Sequence, residues 1–275
     1  MRWLVLWLVL GLLQGCSPTR LAYNNADVFL RWQVDHYLNL QDEQTEAFDR
    51  NLAAFLAWHR ASALPQYARL CEEAAVRVQR GVKREDLEWG YDAVRAQVYE
   101  ALGAAAGEAA GLLDRLSPGQ ISHLEKRLAE ANRKFAKERV QGTMEERHQR
   151  RVKRNLERLE EWFGSLSDAQ SERVRRYSAR APFSAELQDG DRKRRQAEFL
   201  AMLRAREAQQ RFARWAQDWE AGRAPEYQQA TRATRAEYQD LLLDLDRTLS
   251  AEQREHAVKR LRRFAVLFDS LARQP

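Results

Sequence analysis

Apolar side chains recur every three or four positions along most of this 275-residue chain, and charged side chains fill the positions between them. This spacing places apolar side chains on one face of an α-helix, whereas a half-buried strand needs strict alternation, which no stretch shows. Arginine, alanine, leucine, glutamate and glutamine dominate the composition, and all five favour helices. The pattern therefore predicts an all-α fold, a multi-helix bundle of roughly eight to ten helices.

The helix boundaries follow from where each apolar pattern starts and stops. Pro65 opens a helix and Gly190 separates two others, so residues 26–275 form either one helical domain or two subdomains that divide near 181–190. In chain order, the predicted helices cover about 28–40, 42–64, 65–81, 85–111, 118–140, 144–164, 167–181, 191–220, 226–248 and 251–272.

A short sequence device marks four of these helix starts. LSPGQ (116–120), LSDAQ (166–170) and LSAEQ (249–253) each place a glutamine three residues after a serine, and LQDEQ (40–44) is a degenerate copy. Such a pair forms a capping box: the serine side chain accepts a hydrogen bond from the third helical amide, and the glutamine accepts one from the serine amide. The copies are irregularly spaced, so they predict helix starts and not a solenoid of repeats.

The N-terminus has the layout of an export signal. Arg2 supplies a positive charge, an apolar core runs from Trp3 to Leu13, and small or neutral residues precede Cys16. This core is shorter than the roughly 20 apolar residues that a membrane-spanning helix needs. Residues 1–15 are therefore predicted to be a signal peptide that is removed from the mature protein.

The tetrapeptide LQGC (13–16) resembles the lipobox of bacterial lipoproteins. The resemblance implies cleavage after Gly15 and acylation of Cys16, with residues 16–25 as a lipidated tether. Several acyl chains would hold the protein on the membrane permanently, at about 0.8 kcal/mol for each buried methylene. Ser17, in place of an aspartate, resembles the signal for transfer to the outer membrane, which puts the domain in the periplasm. The alternative is a plain secretory signal with an incidental cysteine.

Charge is unevenly distributed along the chain. The formal net charge is +6, and residues 121–215 hold 24 Lys and Arg against 15 Asp and Glu. Because export separates the protein from nucleic acid, this basic middle region favours an envelope protein or an anionic envelope polymer as the partner. The alternative is that charged runs such as Arg150 to Glu161 only form solvated helix faces.

The sequence carries no motif of a known catalytic or metal site. No histidine lies four residues from another, and the single E-x-x-H of Glu145 and His148 lacks the second copy that a di-iron bundle needs. No phosphate loop or nucleophile motif occurs. Cys71 lies on an apolar helix face and is predicted to be a buried packing residue. We therefore expect a protein that is not an enzyme and that uses neither a metal nor a cofactor.

Two short polar segments are candidate binding sites, and each also has a structural explanation. The first follows the lipid anchor, where asparagines suit a turn or a helix cap. The second lies in the basic middle region, where a helix that turns Phe135 inward and Arg133 outward is the favoured explanation. The tryptophans beyond the signal peptide are predicted to be core anchors. The candidates are Tyr23, Asn24, Asn25, Asn132, Arg133 and Lys134, and the tryptophans are Trp32, Trp58, Trp89, Trp162, Trp215 and Trp219.

Two further resemblances bear on function. The serine pentapeptides resemble the L-T-x-x-Q motif of the Spy and CpxP periplasmic proteins, which are small, helical, chaperone-like and stress-sensing proteins. The mature chain is also similar to a family of bacterial lipoproteins of unknown function, through RLAYNNAD (20–27), LAWHR (56–60), LPQY (64–67), EKRLAEANRKF (125–135) and EERHQRR (145–151). That family implies an all-helical envelope lipoprotein and supplies no activity.

The leading hypothesis is an outer-membrane lipoprotein that acts by binding. Its client is an envelope protein, an unfolded chain held as a chaperone holds it, or an anionic envelope polymer. The membrane itself is a partner through the N-terminal lipid, and the oligomeric state is open. A structural envelope spacer with constant partners is the alternative, and an unrecognised hydrolase is a third hypothesis.

Overall fold

The computed structural model describes residues 16–274, and their side chains from Thr19 onward. The predicted signal peptide and the side chain of Cys16 lie outside this range. Within it, the protein consists of helices joined by short turns, with no strand, which confirms the all-α prediction. None of the described helices is both long enough and apolar enough to span a membrane.

Most helix boundaries agree with those predicted from the sequence, apart from the one or two residues by which helix ends always vary. Two π-helical segments, His59–Ala63 and Ala136–Val140, extend the third and sixth helices. The helices are α1 (Cys16–Asn24), α2 (Ala26–Leu38), α3 (Asp42–Trp58), α4 (Leu64–Gln79), α5 (Arg84–Leu113), α6 (Pro118–Phe135), α7 (Met144–Phe163), α8 (Asp168–Arg180), α9 (Ala185–Ala205), α10 (Ala208–Gln217), α11 (Pro225–Asp246) and α12 (Ala251–Ala272).

The N-terminal segment differs from the prediction. Residues 16–25, expected to form a flexible tether, contain α1, which only Asn25 separates from α2. Tertiary packing explains the difference, because Tyr23 of α1 is buried in a cluster that includes Leu64 of α4 and Phe268 of α12. The described helical body of the protein therefore includes residues 16–24.

The predicted helix over 191–220 is wrong at both ends. Helix α9 passes through Gly190 without interruption. It ends at Ala205, and the next residue, Arg206, has a φ of 57°. The carboxylate of Asp114, at the end of α5, accepts hydrogen bonds from the backbone amides of Ala208 and Gln209 at 2.7 and 3.0 Å. This cap from a distant residue satisfies the first amides of α10 and allows a new helix to start there.

Three apolar clusters form the core. The first joins α2, α5, α6, α9 and α10 around Leu203, the second joins α7, α8 and α11 around Leu241, and the third joins α1, α4 and α12 around Leu271. Each of these leucines is at most 1% exposed. Helices from both halves of the sequence thus contribute to every cluster except the second, which belongs to the C-terminal half.

The small-residue stretch of α5, GAAAGEAAG (103–111), packs against α10. Ala106 is 1% exposed, and a Cβ atom at Gly103 would lie 2.6 Å from the side-chain amide of Gln217 at the end of α10. Helices approach this closely only where the facing side chains are small. The stretch is therefore a packing surface.

The tryptophan prediction is wrong at one position. Trp32 is 59% exposed, whereas the other tryptophans beyond the signal peptide are half-buried. Val28 and Phe29 of the same helix are 63% and 48% exposed. Helix α2 instead buries its opposite side, including Ala26 and Leu38.

The capping boxes meet in pairs. Ser117, Ser167 and Ser250 each accept a hydrogen bond from the amide of the glutamine three residues on, as predicted. The side-chain amides of Gln170 and Gln253 also exchange two hydrogen bonds, each of 2.9 Å.

Gln44 and Gln120 form the equivalent exchange, at 2.6 and 3.3 Å. We call each pair a glutamine clasp. Gln120 and Gln170 are 4% and 3% exposed, and each also donates to a backbone carbonyl. Their polar atoms are therefore satisfied despite burial.

Candidate functional site

A stripe of arginines runs along α7. Arg150, Arg154 and Arg158 are four residues apart, so they lie on one face of the helix, and Arg151 lies beside them. Arg139 comes from the π-helical segment before α7, because Gly142, with a φ of 101°, turns the chain back at that point. We call these five residues the arginine cluster.

Two members of the arginine cluster are fixed by backbone carbonyls. Arg150 donates to the carbonyl of Gln141 at 2.6 Å. Arg151 donates to the carbonyls of Ser178 and Pro182 at 3.1 and 3.2 Å, and its guanidinium lies 3.6 Å from the ring centre of Phe183. Carbonyls that follow a helix carry partial negative charge and so hold a cation well.

Arg154 and Arg158 have neither a carboxylate within ion-pair distance nor a hydrogen-bond partner among the residues that the structure describes. Burial, followed by the charges of Arg139, Arg150, Arg151 and Arg158, lowers the pKa of Arg154 to about 10. The depressed pKa has two physical causes: the charged form is partly desolvated, and it is repelled by charges of the same sign.

The surroundings of Arg154 and Arg158 supply no ion-pair partner among the described residues. Burial lowers the pKa of Arg139 and of Arg151, and it raises the pKa of Tyr177 and of Tyr238. The two tyrosine hydroxyls therefore stay neutral and supply no negative charge. Guanidinium groups bind carboxylate and phosphate groups in bidentate fashion, so the arrangement is chemically suited to an anion that carries several charges.

The candidate residues of the basic middle region point in different directions. Asn132 exchanges hydrogen bonds of 2.6 and 3.1 Å with Gln196 of α9 and accepts one of 2.9 Å from Arg192. Phe135 is buried, as its structural explanation required, whereas Arg133 and Lys134 are exposed to solvent. Asn132 therefore joins two helices, and only its two basic neighbours are accessible.

The candidate residues behind the lipid anchor are largely engaged within the protein. The hydroxyl of Tyr23 lies 2.9 Å from Nδ1 of His59, and its ring is buried. The side-chain amide of Asn25 donates to the carbonyl of Leu21 at 2.7 Å, across the junction of α1 and α2. Asn24 is exposed. The structure does not bring these residues near the arginine cluster through any described contact.

The residues considered for metal or thiol chemistry have ordinary surroundings. Glu145 accepts a hydrogen bond of 2.7 Å from Gln149, and the described residues contain no group of three or more side chains that could hold a metal. Cys71 packs against the third apolar cluster, and burial raises the pKa of its thiol to about 11. This thiol is therefore protonated near neutral pH and is a poor nucleophile.

The spacing of the arginines in the sequence indicates the arginine cluster, although acidic residues nearby in the chain make it look like an ordinary solvated face. Arg150 to Glu161 was interpreted as a possible solvated face, in which opposite charges four residues apart compensate each other. At Arg154, however, both positions four residues away are arginines. Like charges at this spacing repel each other, so the pattern indicates a local excess of positive charge.

A comparison with family models identifies a family of unknown function (DUF6279), whose model matches residues 36–228. The chain belongs to this family. The matched segment includes the arginine cluster and ends within α11, before α12 begins. No curated protein and no solved structure matches the chain.

Proposed function

We propose that the protein is a lipid-anchored protein of the bacterial envelope that binds an anionic envelope polymer through the arginine cluster, without catalysing a reaction. The observation that carries the proposal is the pair of arginines, Arg154 and Arg158, that lack a carboxylate partner in the described part of the chain. A ligand with phosphate or carboxylate groups would supply the missing negative charge.

The location in this proposal rests on the sequence. The short apolar segment before Cys16 and the lipobox-like LQGC support export and acylation, with the outer membrane as the destination and the domain facing the periplasm. Because residues 16–24 are helical, only a short distance would separate the helical body from an anchor on Cys16. The phosphates of lipopolysaccharide and the carboxylates of peptidoglycan are anionic polymer groups of that compartment.

The energetics favour binding of an anion at the arginine cluster. A bound anion would reverse the repulsion that lowers the pKa of Arg154, and each hydrogen bond between charged groups contributes about 1.5–3 kcal/mol. Two such bonds correspond to at least a hundredfold in affinity, on the order of 3 kcal/mol. The ligand would also stabilise the folded protein, because it binds only the native arrangement of the arginines.

The test compares two double variants with the same change in net charge. Arg154→Gln/Arg158→Gln removes the two unpartnered guanidinium groups, and Lys126→Gln/Lys137→Gln removes two exposed lysines of the same basic region. Binding of purified lipopolysaccharide and of soluble peptidoglycan fragments is measured at fixed ionic strength. We expect the arginine variant to lose at least tenfold in affinity for one of them and the lysine variant to lose less than twofold.

Equal losses in the two variants would show that only net charge matters, and would refute a built site. No binding of either polymer by the unaltered protein would refute the proposed ligand class.

The anchor is tested separately with Cys16→Ala. This variant should leave the membrane fraction as soluble chain or accumulate as unprocessed precursor. Crosslinking in cells that captures one constant protein partner, together with no polymer binding, would favour the envelope spacer.

A further inference from the structure

An apolar stripe lies on the surface of the first two helices. The backbone remains almost continuous across their junction, because the amide of Asn25 donates to Leu21 at 3.2 Å and the amide of Phe29 donates to Asn25 at 3.1 Å. At about 100° per residue, Leu21, Val28, Phe29 and Trp32 fall on one side of this combined helix. We call these four residues the N-terminal stripe.

The N-terminal stripe is exposed along its whole length. Leu21 is 67% exposed, Val28 63%, Phe29 48% and Trp32 59%. The rings of Phe29 and Trp32 are 6.3 Å apart, and Trp32 stacks on His36 at 5.6 Å, so the aromatic side chains form one continuous surface. Contiguous apolar surface of this kind marks a site of contact with a partner or a membrane.

A basic groove adjoins the start of the stripe. Arg20, the residue before Leu21, lines it together with Lys259, Arg262, Arg263 and Val266 of α12. Arg20 is held in place by a hydrogen bond of 2.9 Å from its guanidinium to the hydroxyl of Ser270. Val266 is 67% exposed, so the groove combines apolar surface with positive charge.

We propose that the N-terminal stripe lies in the head-group layer of the anionic membrane that carries the lipid anchor, with the adjoining basic groove over the lipid phosphates. This inference rests on the anchor of the proposed function and adds an orientation to it. Helical rise places Leu21 about 8 Å and Trp32 about 24 Å along the helix from Cys16. The anchor would therefore hold the whole stripe close to the bilayer.

The chemistry of both features fits a lipid surface. Tryptophan and phenylalanine on one face of a helix insert at the boundary between head groups and acyl chains. Lysine and arginine near the membrane are attracted to anionic lipids by about 1 kcal/mol each. The stripe thus offers aromatic side chains to the acyl boundary, and the adjoining groove offers cations to the phosphates.

The experiment uses the full, acylated chain with Cys71→Ala, reconstituted in vesicles of phosphatidylethanolamine and phosphatidylglycerol. An environment-sensitive fluorophore is attached at Phe29→Cys, at Trp32→Cys or at the control position Val94→Cys on α5, which is 55% exposed. Quenching by spin-labelled lipids is then measured. We expect the labels at positions 29 and 32 to be quenched at least threefold more strongly than the label at position 94.

A second arm tests the groove. In the Trp32→Cys protein, Lys259→Gln/Arg262→Gln should reduce lipid quenching at least twofold on vesicles with phosphatidylglycerol and leave it unchanged on vesicles of phosphatidylcholine alone.

Equal quenching at positions 29, 32 and 94 in protein that floats with the vesicles would overturn the inference and leave the anchor intact. A label at position 32 that is shielded from water but not quenched by lipid would assign the stripe to protein contact and would also overturn it. Failure of processed, acylated protein to float with vesicles would overturn both the orientation and the anchor.

Discussion

Replacing Arg154 with methionine is expected to stabilise the fold and to weaken anion binding at the same time. Burial, followed by the charges of the neighbouring arginines, lowers its pKa to about 10, and each pKa unit corresponds to about 1.4 kcal/mol. Solvent screens a half-buried group, so we reduce the free-energy cost that the pKa shift implies to about 1 kcal/mol of repulsion and desolvation. Methionine retains much of the aliphatic length of arginine and removes the charge.

The assay is urea and thermal unfolding of Arg154→Met beside Lys153→Met, which changes the same charge at the next, exposed position. We expect Arg154→Met to raise the free energy of unfolding by about 1 kcal/mol and the midpoint by about 3 °C. Lys153→Met should change the stability by less than about 0.5 kcal/mol.

The pH dependence gives an independent check on the cause. Because the folded-state pKa of Arg154 lies below its unfolded value, the penalty is present in full below pH 10 and disappears as the pH rises toward the ordinary pKa of an arginine. Added salt should also reduce the difference between Arg154→Met and the unaltered protein. An Arg154→Met protein that is less stable than the unaltered chain at neutral pH and low salt would refute the inference that the charge of Arg154 destabilises the fold.

Three further predictions concern the fold. Gln170→Leu should lower the free energy of unfolding by about 3 kcal/mol in urea titrations, because it removes the hydrogen bonds that buried Gln170 makes with Ser167, Thr248 and Gln253; Gln149→Leu, at an exposed glutamine, is the control. Burial lowers the pKa of His59 to about 4, so stability should fall as pH drops from 6.5 to 4, by about 3 kcal/mol relative to His59→Gln. Leu241→Ala, at a side chain that is 0% exposed, should cost about 3 kcal/mol, and Val94→Ala less than about 0.5 kcal/mol.

Each of these predictions has a result that contradicts it. A Gln170→Leu protein as stable as Gln149→Leu would mean that the clasp contributes little. Parallel pH profiles for His59→Gln and the unaltered protein would show that His59 titrates in the fold as it does in the unfolded chain. Equal unfolding midpoints for Leu241→Ala and Val94→Ala would place Leu241 outside a tightly packed core.

The sequence predicted those features of the fold that depend on neighbouring residues. The helix starts at Ser117, Ser167 and Ser250 were recognisable because a capping box is complete within four residues. The break at Arg206 was not, because the cap of α10 comes from Asp114, which is far away in the chain. Local propensity carries no information about such a contact.

The candidate sites show the same division. The like charges around Arg154 were visible in the sequence, but whether an acidic side chain from another helix approaches them is decided by tertiary structure. Trp32 could not be separated from the half-buried tryptophans, because an apolar residue on a helix face predicts contact without saying what it contacts. Tyr23 likewise resembled an accessible residue until the packing of α1 buried it.

The glutamine clasps have a consequence for assembly. Their members are 76 and 83 residues apart in sequence, so neither clasp closes until two remote helix starts have met. If one helix slid by a single turn, about 5.4 Å, both glutamines would lose their partner while remaining enclosed. Each clasp therefore favours one alignment of the helices over the neighbouring ones. Apolar contacts between leucines and alanines alone would tolerate those other alignments.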